Sequence, residues 1–114
     1  MGKLTIDKDD EFVEYICDQL EEFDIVTYKP MFGGYGLYSG NLFFGIVFNG
    51  HLYFKTDDVT RVQYEGWEME AFQSSASQTL SSYFEVPSDL LDDAKLLCEL
   101  AQEAADIIHR STRQ

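Results

Sequence analysis

The sequence is poor in the residue types from which enzymes and metal sites are usually built. It has two cysteines and two histidines, with no Cys-x-x-Cys spacing and no cysteine close to a histidine. Zinc sites and nucleophilic thiols depend on such clusters. A Gly-x-Ser-x-Gly nucleophile elbow is absent as well. We therefore predict a protein without enzymatic activity, cofactor or bound metal.

Long apolar runs are also lacking. None approaches the ~20 residues of a membrane-spanning helix, and the first residues lead into acidic side chains rather than into a signal-peptide core. We expect a cytoplasmic protein with no membrane partner. The chain of 114 residues fits one domain over 1–114, whose core is large enough to need no disulfide. In such a domain, Cys17 and Cys98 are expected to act as small buried hydrophobes.

Positive charge is scarce and unevenly placed. The chain has 8 Lys and Arg against 21 Asp and Glu, and its formal net charge is −13. Nine acidic residues lie between Asp7 and Asp24 and six between Asp89 and Asp106, but none lies between Ile25 and Thr56. DNA binding draws most of its affinity from Lys and Arg on phosphates. The composition therefore predicts no strong direct binding of nucleic acid, and a central segment that is aromatic and weakly basic.

The most distinctive segment is Met31-Phe32-Gly33-Gly34-Tyr35-Gly36-Leu37-Tyr38. Glycine reaches positive φ and lets a neighbouring backbone approach closely. Gly33, Gly34 and Gly36 therefore predict a tight turn or a bulge between strands. The alternative is a phosphate-binding loop, but the required glycine spacing and the Gly-Lys-Ser/Thr ending are missing. We interpret the three glycines as a structural motif.

Three segments have helical character. Apolar residues recur at three- and four-residue spacing from Asp7 to Phe23. The first turn contains Asp7, Asp9, Asp10 and Glu11, whose carboxylates suit the positive end of the helix dipole and can cap free N–H groups. The other carboxylates fall at helical surface spacings that suit solvation. A second amphipathic helix is predicted to open at Pro87-Ser88-Asp89 and to continue through Ile108. Asp57 to Gln63 indicates a short helix or turn. Asp57-Asp58 is a conceivable catalytic pair, but a helix start is the plainer interpretation.

Strand character fills the rest of the chain. Val26 to Thr56 alternates aromatic runs with Gly and Asn, while Trp67 to Phe72 and Leu80 to Val86 have the composition of further strands. The polar run from Ser74 to Thr79 predicts a loop. The predicted fold class is therefore α+β, with two layers and an antiparallel sheet of about five strands against helices, in the order α-β-β-β-α-β-β-α.

Two turns set the register of the central strands. Asn49-Gly50 favours a two-residue type I′ hairpin, which places Phe48 opposite His51, Ile46 opposite Tyr53 and Phe44 opposite Lys55. The preceding turn is either Ser39-Gly40 or Gly40-Asn41. On this register one face of the hairpin is purely apolar and should face the helices; it carries Phe43, Val47, Leu52 and Phe54. The other face is mixed and is the candidate interaction surface; it carries Phe44, Ile46, Phe48, His51, Tyr53 and Lys55.

The sequence leaves open which partner covers the mixed face. A helix of the same chain or a second copy can cover it, and the second case gives a homodimer. Exposed aromatic patches also mark contacts with other proteins. Finally, aromatic rings beside Lys55 can stack on the bases of single-stranded nucleic acid or hold a small ligand. We favour a protein-interaction surface, self-association included.

Three segments in this order resemble the TfoX amino-terminal domain family: the glycine-rich segment 31–38, Leu52-Tyr53-Phe54-Lys55-Thr56, and Tyr83-Phe84-Glu85-Val86-Pro87. The resemblance extends from the first helix into the last. It implies a two-layer α+β fold and supplies no catalytic residues. The best-known members, also called Sxy, are bacterial regulators of natural competence.

The resemblance also implies a partner. Those regulators are thought to assist the cyclic-AMP receptor protein at competence promoters as co-activators without an assigned enzymatic activity. By analogy, this chain is expected to take part in transcription regulation through the cyclic-AMP receptor protein or RNA polymerase. The regulators carry a second, carboxy-terminal domain, whereas this sequence ends at Gln114. We therefore expect a stand-alone, single-domain member.

Overall fold

The computed structural model describes residues 8–31, 33–73 and 79–111. Within these ranges the chain forms one antiparallel sheet with strand order β1-β2-β3-β4-β6-β5, and three α-helices. The predicted α+β class is confirmed. In chain order the elements are α1 (Lys8–Gln19), β1 (Val26–Met31), β2 (Gly34–Ser39), β3 (Leu42–Phe48), β4 (His51–Lys55), α2 (Arg61–Gly66), β5 (Ala71–Gln73), β6 (Thr79–Glu85), a 3₁₀ turn (Ser88–Leu90) and α3 (Ala94–Ser111).

The described sheet has six strands where about five were predicted. The extra strand arises at the glycine-rich segment, where the chain reverses and Met31 pairs with Gly34. Gly33 has a φ of 86°, a left-handed conformation that favours glycine. The prediction of a tight turn between strands is therefore confirmed, and this turn separates β1 from β2.

The other two hairpins also follow from local turn chemistry. Ser39 pairs with Leu42, so the loop between β2 and β3 is Gly40-Asn41, one of the two predicted alternatives. In the loop between β3 and β4, Asn49 and Gly50 have φ angles of 54° and 81°. Positive φ at both positions defines the predicted type I′ turn. The predicted register is confirmed for Phe48 opposite His51 and for Ile46 opposite Tyr53. The pairing ends at Gly45 opposite Phe54, so the predicted pair of Phe44 with Lys55 was wrong.

The main core lies between the helices and one face of the sheet. Each α-helix contributes buried side chains, for example Ile16 of α1, Tyr64 of α2 and Leu97 of α3. They pack in one cluster with sheet residues such as Val47 and Leu52. Burying each such large apolar side chain contributes about 1.5–3 kcal/mol. The three helices therefore share one side of the sheet.

Helix boundaries differ from the predictions where local hydrogen bonds compete. The first helix ends at Gln19 rather than Phe23, because the chain turns and the Phe23 N–H donates to the Leu20 carbonyl at 2.8 Å. The last helix begins at Ala94 rather than at Pro87. Here the Asp93 carboxylate accepts the Leu96 N–H at 3.1 Å and caps the helix.

The predicted strand Trp67–Phe72 was also wrong in its extent, since β5 covers Ala71–Gln73. The Trp67 N–H donates to the Gln63 carbonyl and so closes α2, and Glu68 follows with a φ of 64°. Residues 74–78 of the predicted polar loop, and the predicted capping residue Asp7, lie outside the described residues.

Candidate functional site

The candidate site is the face of the sheet turned away from the three helices, which we call the open face. Its centre is a second apolar cluster formed by strand residues, in which no described helix takes part. The sequence pattern predicted three of its residues, Ile46, Phe48 and Tyr53. The cluster consists of Phe43, Ile46, Phe48, Phe72, Tyr53, Leu80 and Tyr83.

Phe44 does not lie on the open face, so this part of the prediction was wrong. Leu37 pairs with Gly45 whereas Tyr38 pairs with Phe43, which leaves Phe44 as the extra residue of a β-bulge. The bulge breaks the strict alternation of side chains along β3. Phe44 is therefore fully buried in the helix-side core against Phe23 and Phe54. Phe43, predicted to face the helices, takes the place on the open face.

The other five predicted residues lie on the open face, as the hairpin register requires. Ile46 is fully buried at its centre, and Phe48, Tyr53 and Lys55 are half-buried. His51 is the most accessible of the five, with 48% of its side chain exposed. Its Nδ1 lies 2.6 Å from a carboxylate oxygen of Glu85 on β6.

The open face is covered in part by the sheet's own curvature. In the sheet, β4 and β6 separate β3 from β5. Nevertheless the ring of Phe72 on β5 contacts Phe48 and Tyr53 edge to face, with centroid distances of 5.4 and 5.1 Å. The sheet must therefore curve toward this side, and Phe72 covers part of the surface for which a helix or a second copy was considered.

A row of stacked rings with a lysine at each end runs across one end of the open face. Lys29 Nζ lies 5.1 Å from the ring centroid of Tyr38, and Tyr38 stacks on Phe43 at 5.5 Å. Phe43 in turn stacks on Tyr83 at 5.1 Å, and Lys55 Nζ lies 5.4 Å from the Tyr83 centroid. We call these five residues the lysine-capped aromatic row.

Hydrogen bonds fix this row in place. The Tyr83 hydroxyl donates to the Phe43 carbonyl at 2.8 Å, and burial raises the pKa of Tyr83. Lys55 Nζ donates to the Ser82 hydroxyl at 2.8 Å. Burial also lowers the pKa of Lys55, since the ammonium has lost part of its hydration. Lys29 at the other end is exposed.

The charge of the open face is opposite in sign to that of the chain. The six strands contain a single acidic residue, Glu85, and two lysines, Lys29 and Lys55. The net charge of −13 therefore resides on the helices and connections. The six described strands by themselves are aromatic and weakly basic.

A second surface feature lies on the helical side. It is an open groove of about 620 Å³ lined by Asp10, Glu11, Glu14, Tyr15, Asp18, Tyr28 and Tyr35. The Tyr28 hydroxyl donates to Glu14 and the Tyr35 hydroxyl donates to Asp10. The bond to Glu14 raises the pKa of Tyr28 to about 12. Sequence reasoning treated these carboxylates as solvated and missed their tyrosine partners, which come from β1 and β2.

Asp9 is the residue whose role the sequence reasoning missed most clearly. It was grouped with the carboxylates that cap α1, but it is only 4% exposed. Its two carboxylate oxygens accept the backbone N–H groups of Asn49 and Gly50 at 2.9 and 2.8 Å. Asp9 thereby ties α1 to the turn of the β3–β4 hairpin, whose strands carry Phe43, Ile46, Phe48 and Tyr53 of the open face.

Groups that suggested catalysis have structural roles. The Asp57 carboxylate accepts N–H groups from Val59 and Thr60 at 3.1 and 2.9 Å, and Arg110 lies 3.2 Å away. These bonds hold a turn that precedes α2, and α2 itself begins at Arg61 with Thr60 as its N-cap, so the predicted helix start at Asp57 was wrong. Within residues 8–31, 33–73 and 79–111, no group of three or more Cys, His, Asp or Glu side chains can hold a metal ion.

No helix of the described chain has the length and apolar character to cross a membrane.

The two cysteines are free and half-buried. Burial raises the pKa of Cys17 to about 11. Since the thiolate is the nucleophile, we expect Cys17 to react slowly with iodoacetamide at neutral pH and faster as the pH rises toward about 11. Mass spectrometry of folded and denatured protein measures both rates. Equal rates for Cys17 in the two states at neutral pH would contradict the assignment.

The same shift links Cys17 to stability. The folded chain holds the thiol proton more tightly than the unfolded chain does, because the pKa is raised in the folded state. This contribution to stability is complete below the ordinary thiol pKa. It declines as the pH rises from there to about 11, so alkaline solutions are expected to destabilise the fold.

Comparison with known protein families identifies the chain's family. A family model described as the TfoX N-terminal domain matches residues 18–108. This span includes all six strands and therefore the whole open face. No curated protein matches the chain.

Proposed function

The chain belongs to the TfoX N-terminal domain family, and on that basis we propose that it is a non-enzymatic protein-interaction module in bacterial competence or transcription regulation. TfoX N-terminal domains are not a known enzyme family. The resemblance to competence co-activators favours the cyclic-AMP receptor protein or RNA polymerase as the partner. The contact surface in this proposal is the open face.

The observation that carries the proposal is the segregation of the molecule into two sides. All three described α-helices contribute to the core on one side of the sheet, while the other side keeps half-buried aromatic side chains such as Phe48 and Tyr53. Aromatic residues are enriched in protein interfaces. The surface is also preorganised, because its rings already contact one another.

The proposal is tested by affinity capture of the tagged protein from lysate of its host, with and without nuclease, followed by mass spectrometry. We expect nuclease-resistant enrichment of the cyclic-AMP receptor protein or RNA polymerase. Tyr53→Ala should reduce that enrichment by about tenfold, which corresponds to about 1.4 kcal/mol of binding free energy. Circular dichroism of the variant verifies that it folds.

A matched control variant is available on the helical side. Tyr15 on α1 is 38% exposed, and Tyr15→Ala makes the same chemical change away from the open face. We expect Tyr15→Ala to retain full enrichment. Enrichment that is lost on nuclease treatment would contradict the proposal in favour of nucleic acid. Equal retention by Tyr53→Ala and wild type would remove the open face from the contact.

A further inference from the structure

The geometry of the lysine-capped aromatic row points to the chemistry of the partner. We propose that the open face binds a protein segment in which acidic and apolar side chains alternate, with carboxylates on Lys29 and Lys55 and apolar groups on the rings between them. This inference rests on the proposed function and specifies the kind of partner that the same surface takes. Single-stranded nucleic acid is the competing occupant.

The ring faces in the row are already covered by neighbours in the same chain. Tyr38 lies between Lys29 and Phe43, Phe43 lies between Tyr38 and Tyr83, and Tyr83 lies between Phe43 and Lys55. The two stacked pairs have interplanar angles of only 29° and 28°. A domain that stacks bases needs free ring faces. The row therefore lacks the platform that single-stranded nucleic acid requires.

The other aromatic rings of the open face also pack against one another and so offer no stacking platform. Phe48 and Tyr53 each contact Phe72 edge to face, with interplanar angles of 85° and 77°. The open face is thus a surface of packed rings rather than of separate stacking platforms. In aromatic rings the edge carries the positive part of the quadrupole. Ring edges between two ammonium groups favour carboxylate oxygens as well as apolar contacts.

The charge of the open face decides whether an acidic or a basic partner segment fits it. Lys29 is exposed and Lys55 is half-buried, and Glu85 is the single acidic residue of the six described strands. Asp57, which follows β4, also acts electrostatically on Lys55, but its carboxylate lies 3.2 Å from Arg110. Glu85 itself is paired with His51. A carboxylate brought to Lys55 also compensates for the hydration that this ammonium has lost. The face is therefore complementary to acidic segments, and it repels basic ones.

The test is a nuclear magnetic resonance titration of the nitrogen-15-labelled full chain. The probes are a peptide in which Asp and Leu alternate, a control peptide in which Lys and Leu alternate, and oligothymidine. We expect the Asp–Leu peptide to shift amide signals of β1, β2, β3, β4 and β6. The Lys–Leu peptide should leave those signals in place. Lys29→Glu should weaken binding of the Asp–Leu peptide by about fivefold or more.

Lys95 on α3 provides the matched control. It is exposed on the helical side, so Lys95→Glu makes the same charge change and should alter the affinity by less than about twofold. The inference is overturned if the Asp–Leu peptide shifts helix signals instead of strand signals, or if oligothymidine shifts the strand signals at lower concentration. Concentration-dependent dimers that Lys29→Glu disrupts would assign the face to a second copy and also overturn it.

The outcomes separate this inference from the proposed function. If a captured protein needs Tyr53 but the Asp–Leu peptide does not bind, the acidic-segment inference fails and the interaction module stands. If the peptide binds the open face but capture with Tyr53→Ala equals capture with wild type, the proposed function fails. The lysine-dependent recognition of acidic segments then stands by itself.

Discussion

Replacement of Gly34 by alanine is expected to destabilise the fold by about 3 kcal/mol or more. A Cβ atom at this position would lie 2.1 Å from the Val47 carbonyl oxygen and 3.0 Å from the Phe48 Cα. Both atoms belong to the backbone of β3, so no side-chain rotation relieves the clash. The strand pair that frames the open face would have to separate.

Two other glycines serve as controls for Gly34→Ala. At Gly36 the added Cβ would meet the end of the flexible Met31 side chain at 2.9 Å and the Phe43 ring at 3.1 Å. Both contacts are with side chains, which can shift, so we expect a loss of about 1 kcal/mol. At Gly66 no atom lies within 4 Å, so alanine should be neutral or stabilising by up to about 1 kcal/mol. Urea unfolding of the three variants measures the differences. A Gly34→Ala midpoint equal to that of Gly66→Ala would contradict the close approach of β2 and β3.

Replacement of Asp9 by alanine is expected to cost about 2–3 kcal/mol, because hydrogen bonds to a charged group contribute more than neutral ones. Two bonds are lost together, from the N–H groups of Asn49 and Gly50. Asp9→Asn keeps one oxygen acceptor and should lose about half as much. The damage is expected to concentrate at the β3–β4 turn.

The measurement for Asp9 combines urea unfolding with hydrogen exchange of the turn amides. Asn49 and Gly50 should exchange faster in Asp9→Ala than in the wild-type chain. Glu11→Ala is the control, since Glu11 lies in the same first turn of α1 but is exposed, and its effect should stay within about 0.5 kcal/mol. If Asp9→Ala and Glu11→Ala were equally stable, Asp9 would be a solvated helix cap, as the sequence alone indicated.

Features that depend on neighbouring residues in the sequence were predictable. Asn49-Gly50 defines its turn by local backbone preference, and the turn then sets the pairing of Ile46 with Tyr53. Gly33 likewise reverses the chain through its own φ angle. In α1 and α3, the spacing of the apolar residues indicated which side of each helix is buried.

Features that depend on distant strands were not predictable from one sequence. The bulge at Phe44 exists because of the pairing between β2 and β3, and nothing in the run Phe43-Phe44-Gly45 marks which phenylalanine becomes the extra residue. Phe72 reaches the open face through curvature of the whole sheet. The partners of Asp9 lie 40 and 41 residues away in the chain. The spacing of apolar residues along the chain indicates neither the bulge, nor the curvature of the sheet, nor the partners of Asp9.

Because Phe44 lies in the main core, other residues must serve as probes of the open face. Phe44 is fully buried in the main core, so Phe44→Ala is expected to destabilise the chain by about 3–5 kcal/mol and cannot report on binding. Phe43 is the residue that contacts Tyr38 and Tyr83 on the open face. Tyr53 and Lys29 are the cleaner probes, because neither is part of the helix-side core.

The most direct test of the central claim is a footprint of the captured partner on the nitrogen-15-labelled chain. The partner that survives nuclease treatment is added in unlabelled form, and cross-saturation identifies the amides at the interface. We predict saturation in β2, β3, β4 and β6, centred on Phe43, Phe48 and Tyr53, with α1 and α3 unaffected. Saturation confined to α1 and α3 would contradict the claim that the open face is the contact surface.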